Sequence, residues 1–74
     1  MATILVTVEF PGEIVRMPVL WELGATHDIL YSIRRAHVEE DSGWIALELS
    51  GEEKELGRAL AWLRAKGLGV KVGE

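Results

Sequence analysis

Residues 44–72 read WIALELSGEEKELGRALAWLRAKGLGVKV, and the order of patterns in this stretch decides the fold. Ile45, Leu47 and Leu49 alternate with Trp44, Ala46 and Glu48, which predicts a half-buried strand over 44–49. Ser50 and Glu53 have the spacing of a capping box, in which hydroxyl and carboxylate each satisfy a free backbone N–H at a helix start. Leu56, Ala59, Leu60 and Leu63 then repeat with helical spacing and mark one apolar face. Glu52, Glu53 and Glu55 suit the positive end of that helix, and Arg64 and Lys66 suit its negative end. Gly67 is a natural C-terminal cap. Leu68, Val70 and Val72 alternate with Gly69 and Lys71 as a last strand.

Upstream, the same alternation recurs over residues 3–10. Ile4, Val6, Val8 and Phe10 form an apolar set, while Leu5, Thr7 and Glu9 form a mixed one. Pro11-Gly12 ends this strand, since proline lacks the ladder donor and glycine accepts turn dihedrals. A short helix is predicted over 17–25, with Pro18 in its first turn, Val19, Leu20 and Leu23 as its stripe and Gly24 as its stop. Residues 28–39 read as a longer strand whose register is open. Tyr31 and Ile33 share one face, Leu30, Ala36 and Val38 the other, and a bulge between Ile33 and Ala36 would bring apolar residues of both halves to the core. Residues 40–43, Glu-Asp-Ser-Gly, are a turn signal, so a hairpin joins this strand to the next.

The resulting order is β-α-β-β-α-β, an α+β fold of ferredoxin-like type. Right-handed crossovers put both helices on one face of a four-stranded antiparallel sheet of order 4-1-3-2. The opposite face stays open, with Leu5, Thr7 and Glu9 beside Trp44, Ala46 and Glu48. Leu5, Thr7, Trp44 and Ala46 are therefore candidate interface residues.

Length and composition restrict what such a fold can do. A chain of 74 residues fits one domain, 1–74. A domain of this size buries only about 60% of its unfolded surface, so self-association would add to a marginal stability. With no cysteine, the chain itself offers no disulfide, thiolate zinc site or iron–sulfur cluster. The net charge of −4 argues against a general phosphate-backbone binder, so no nucleic acid is expected as partner. The apolar runs are too short to span a bilayer, and no basic segment precedes an apolar one as in a signal peptide. A cytoplasmic location without membrane insertion is the expectation.

No catalytic constellation emerges, and no enzyme is expected. Ser32, Ser42 and Ser50 stand in no nucleophile-elbow sequence. His27-Asp28 could pair a base with a carboxylate, but adjacent residues rarely aim at each other, and a plain loop histidine is the simpler reading. His27, His37 and the acidic turn lack metal-ligand spacing, so neither metal nor cofactor is expected. The glycines form no phosphate-binding loop. Trp21, Trp44 and Trp62 either cover the margin of a small core or mark an interface. Arg34 and Arg35 could receive a carboxylate or pair with a glutamate across strands.

Several segments together resemble the NIL domain: residues 8–12 (VEFPG), 17–20 (MPVL), Ile29-Leu30, Gly43, 47–51 (LELSG), 59–63 (ALAWL) and 70–72 (VKV). The resemblance spans nearly the whole chain and lies in order and spacing. NIL domains are ACT-like ferredoxin folds found at the C-terminus of the ATPase subunit of methionine ABC importers, where they dimerise, bind methionine and restrain transport. They also occur fused to ferredoxin modules linked to sulfur assimilation, and alone. Lacking a Walker motif and cysteines, this chain is similar to the stand-alone form. The resemblance implies a regulatory homodimer with a small amino-acid ligand, methionine or a relative, at the dimer interface, acting on a transporter or sulfur-assimilation protein. It implies ligand contacts from Asp28, Ile29 and Leu30, with Met17 across the dimer. Asp28 stands where the importer domains often carry asparagine, and the segment from Pro18 to Ile29 is about one helical turn shorter, at ~3.6 residues per turn. A ligand-free dimerisation or interaction module is the alternative implied by those departures.

Overall fold

A computed structural model describes residues 1–11 and 18–73. Its elements are β1 (Ala2–Pro11), α1 (Val19–Thr26), β2 (Ile29–Val38), β3 (Ser42–Gly51), α2 (Glu53–Ala65) and β4 (Gly69–Val72). The sheet runs β2-β3-β1-β4 with every pair antiparallel, which is the expected ferredoxin-like order read from the other edge.

The alternation in β1 and β3 is what fixes the core. Val6, Val8 and Phe10 point to the helix side together with Leu47 and Leu49, because Val6 is registered opposite Leu47 and Ile4 opposite Leu49. Against this layer α1 lays Val19 and Leu23, and α2 lays Leu56, Ala59 and Leu63. Each large side chain taken fully out of water contributes about 1.5–3 kcal/mol. No polar or charged residue is buried among the described residues, so the core carries no desolvation cost of that kind.

The open register of β2 resolves as a bulge. Pairing with β3 shifts between Ile33 and Arg35, leaving Arg34 as the extra residue. Tyr31 and Ile33 before the bulge, and Ala36 and Val38 after it, consequently share the helix side, opposite Leu49, Leu47, Ile45 and Gly43. A hairpin joins the two strands, closed by the Glu39 N–H donating to the Ser42 carbonyl at 2.7 Å.

Helix ends depart from expectation in two places. Ser50 is not a cap: β3 continues to Gly51, opposite Ala2, and the Ser50 hydroxyl meets the Thr3 hydroxyl at 3.0 Å. Strand pairing outcompetes the capping box, and α2 starts behind Glu52, which makes no side-chain cap. Gly24 is not a stop either. Helix α1 continues to Thr26 and leaves through extended His27, with the His27 N–H on the Leu23 carbonyl at 3.1 Å. Gly24 instead makes room for Tyr31, whose ring edge lies 3.1 Å from where a Cβ would stand. The described part of α1 begins at Val19 with Pro18 as N-cap; Gly12 and Met17 fall outside the described residues. Gly67 does cap α2. It has φ 88°, its N–H donates to Arg64, and Leu68 N–H donates back to Leu63 at 3.4 Å, a Schellman motif sealed by two buried leucines.

Candidate functional site: the start of β2 and its outer edge

Strand β2 is the least protected element. It pairs with β3 on one side, and among the described residues nothing pairs with its other side. Only Ile29 is buried; the nine residues that follow are exposed. Several of them are apolar: Leu30 is 68% exposed, Ile33 54% and Val38 63%. A long strand with free backbone donors and acceptors and apolar side chains is a ready surface for another chain.

Its beginning is held by charge. The Asp28 N–H donates to Glu55 Oε2 at 3.0 Å, and Glu55 Oε1 lies 3.6 Å from Arg58 Nη1 on the same turn of α2. Glu55 thus ties the first turn of α2 to the residue before β2. Gly51 lies directly beneath: a Cβ there would stand 3.1 Å from Ile29 Cγ2 and 3.2 Å from the Asp28 carbonyl oxygen. Asp28, Glu52, Lys54, Glu55 and Arg58 line an open cleft of about 350 Å³ in which every side chain is charged. The Asp28 carboxylate forms no ion pair among the described residues, and a ligand's ammonium or hydroxyl would meet it without displacing a partner.

The residues expected to bind ligand are therefore distributed as follows. Asp28 and Leu30 are exposed at the head of the edge strand, while the Ile29 side chain turns into the core. Met17 lies outside the described residues. A second cleft, about 200 Å³ and mainly apolar, runs beside α1 between Trp21, Val38 and Ile45. Trp21 is 70% exposed at its rim.

His27 is a helix-end residue rather than a base aimed at Asp28. Its Nδ1 lies 2.9 Å from the Thr26 hydroxyl and 3.2 Å from the Leu23 carbonyl. The Thr26 hydroxyl donates to the Glu22 carbonyl at 2.7 Å, so both groups facing Nδ1 act as acceptors and the proton sits on Nδ1. The ring meets Trp62 edge-on at 5.6 Å, Lys66 Nζ stands 5.0 Å from the centre of that indole, and Lys66 reaches Glu22 at 3.5 Å. Trp62 is thus spent on joining the ends of the two helices. The sequence hinted at it only through its place off the apolar stripe.

On the open face, Leu5, Thr7, Trp44 and Ala46 stand together as expected, on the paired central strands. Trp44 is half-buried because His37 stacks on it at 6.3 Å, and His37 Nε2 lies 3.0 Å from Glu39 Oε2. Arg34 approaches Glu48 at 4.0 Å, an exposed pair of small energetic weight. No cluster of three or more metal-ligating side chains occurs among the described residues, and no helix among them is long and apolar enough to cross a membrane.

Comparison with known proteins gives a consistent picture. The NIL domain family profile matches residues 4–72. The C-terminal domain of an ABC transporter ATP-binding protein from Enterococcus faecalis superposes with a TM-score of 0.84 at 22% identity, over 93% of this chain and 81% of that one. A de novo designed protein, Ferredog-Diesel, superposes with a TM-score of 0.56 at 16% identity, over 99% of this chain and 85% of the design. At these identities the two superpositions establish the fold alone. No curated protein sequence matches the chain.

Proposed function

The chain belongs to the NIL domain family, and from that premise we propose that it is a small-molecule-sensing regulatory domain which binds methionine or a related amino acid at a dimer interface. The observation that carries this reading is the exposed edge of β2, which begins at Asp28 and Leu30 and offers free backbone and apolar side chains along its length. Pairing β2 with β2 of a second copy would complete both ladders and cover Leu30, Ile33 and Val38. The heads of the two strands would then lie within one interface, where a ligand can contact both copies and bias their association. An amino acid held there would present its ammonium to Asp28 and its apolar side chain to Leu30 and, across the interface, to the Met17 region.

A regulatory domain of this kind acts through a partner. The likeness to a domain of an ABC transporter ATP-binding protein favours a transporter, in a cytoplasmic setting, and the family's other contexts favour a sulfur-assimilation protein. No chemical step is assigned to the chain.

Isothermal titration against methionine, its close relatives and unrelated amino acids tests the proposal, paired with sedimentation to read the mass. Saturable heat for a sulfur-containing or apolar amino acid, abolished by Asp28→Ala in a protein that still melts cooperatively, is the expected result. A folded dimer with no heat across the panel would leave the second reading, a ligand-free dimerisation module. One observation favours that reading: the carboxylate of Asp28 repels the carboxylate of any amino acid that enters carboxyl-first.

A further inference from the structure

The open face of the sheet is not used by edge pairing, and its charges are ordered. Strand register sorts them into rows. One row crosses His37, Trp44, Glu9 and Gly69, and the next crosses Arg35, Ala46, Thr7 and Lys71. Glu39 joins the first row through its 3.0 Å contact with His37. Glu9 leans over β4, its Oε1 lying 3.0 Å from where a Cβ of Gly69 would stand. The first row is therefore acidic at both ends, Glu39 on the β2 side and Glu9 on the β4 side. The second is basic at both ends, Arg35 on the β2 side and Lys71 on the β4 side. Among the described residues Arg35, Lys71 and Glu9 form no ion pair within the chain, whereas Arg34 and Glu48 face each other in the neighbouring row.

We infer that this face is a self-association surface that stacks on the same face of a second copy, independently of edge pairing. A two-fold axis lying in the plane between the sheets, perpendicular to the strands and between the two rows, reverses each strand over its own counterpart. Arg35 of one copy then lies over Glu39 of the other, and Lys71 lies over Glu9, with both contacts repeated by symmetry. Leu5, Trp44 and Ala46 sit among the charges and supply apolar contact.

Charge balance points to a second copy as the occupant. Among the described residues three basic and three acidic side chains stand on this face (Arg34, Arg35 and Lys71; Glu9, Glu39 and Glu48), which balances it on a chain of net charge −4. Two copies that repel through their net charge meet here without like charges set against each other at the contact. Three strands of ten residues and one of four, spaced by about 4.8 Å, present on the order of 500 Å². That is below the ~800 Å² per partner of a standard stable interface, so the contact is weak, sensitive to salt, and strengthened where edge pairing sets two such faces in one sheet.

Sedimentation of the Ile33→Lys variant, in which edge pairing is expected to be lost, isolates the face. Association that weakens as salt rises from about 50 to about 500 mM is expected. Lys71→Glu and Glu9→Lys should each weaken it by roughly tenfold or more, and the double variant should recover most of the loss. Thermal melts establish that all variants are folded. A variant that stays monomeric at low salt and about 1 mM protein, association indifferent to either reversal, or a double variant that recovers nothing, would each overturn the inference. Because Lys71→Glu and Glu9→Lys lie away from the outer edge of β2, and Ile33→Lys is common to every comparison, none of those outcomes bears on ligand binding or edge pairing in the wild-type chain.

Discussion

Replacing Ile33 by lysine is the most direct perturbation of the β2 edge. Ile33 lies near the middle of the strand, on the helix side, and is 54% exposed in the isolated chain. A fully buried side chain of this size gains about 1.5–3 kcal/mol, so the part still available to an interface is about 1 kcal/mol per copy. A two-fold interface counts the change twice, which makes about 2 kcal/mol per dimer. Lysine can extend its ammonium to water, yet two ammonium groups close to a two-fold axis repel. The total loss is about 2–4 kcal/mol, a roughly 30- to 1,000-fold rise in the dimer Kd. The isolated chain should lose far less, because half of the Ile33 surface is already in water.

Sedimentation velocity over a concentration series reads the Kd, and a thermal melt separates dissociation from unfolding. A variant that melts near the wild type but sediments as a monomer where the wild type is a dimer fits the reasoning. A Kd within about threefold of wild type in a folded variant would refute it, because an edge interface cannot bury the strand and ignore a charge at its centre. A wild-type chain that stays monomeric at about 1 mM would refute the premise itself.

Three further substitutions test other parts of the structure. Gly57→Ala lies on the exposed side of α2 with nothing within 4 Å of the new Cβ, so it should stabilise by about 0.5–1 kcal/mol, raising Tm by about 4–8 °C at the upper end. Gly51→Ala should do the opposite, losing about 1 kcal/mol or more, because its Cβ presses on the Asp28 carbonyl and on Ile29; titration should also show weaker ligand binding, since Asp28 must move. Leu47→Ala removes a side chain that is fully enclosed between sheet and helices and should cost about 2–5 kcal/mol, read by urea denaturation. In a domain this small that is a large share of total stability, so a substantially unfolded variant at room temperature is the expected outcome.

The strands and α2 were legible because their patterns have one physical meaning. Val6, Val8 and Leu47 alternate with residues that tolerate water, and only a half-buried strand uses that pattern. The bulge in β2 was also legible, since no single register could place both Ile33 and Ala36 inward. The Gly67 cap was legible, but the start of α2 and the end of α1 were not. Ser50 with Glu53 is a sound capping sequence, but Ser50 is also opposite Thr3, and a strand pair already nucleated on Leu47 and Leu49 extends two residues further than local chemistry suggests. Gly24 is a sound stop signal, yet whether a glycine ends a helix or admits a neighbour depends on Tyr31, which lies seven residues on and on another element. Asp28 and Leu30 came from the family resemblance. Glu55, which anchors Asp28, was read only as a helix-start charge, because nothing in a sequence ties residue 55 to residue 28.

The shortness of α1 and the exposure of β2 are one fact. Helix α1 has 8 residues and spans about 12 Å at ~1.5 Å per residue. Strand β2 has 10 residues and spans about 33 Å at ~3.3 Å per residue. A helix that short cannot roof a strand that long. Its buried residues, Val19 and Leu23, join the core, and the Tyr31 ring of β2 lies against it at Gly24. Helix α2, with 13 residues and about 20 Å of length, packs against β3 and β4, on the side of the sheet away from the β2 edge. Among the described residues, therefore, nothing covers the apolar residues of β2, and a second surface would gain by burying them.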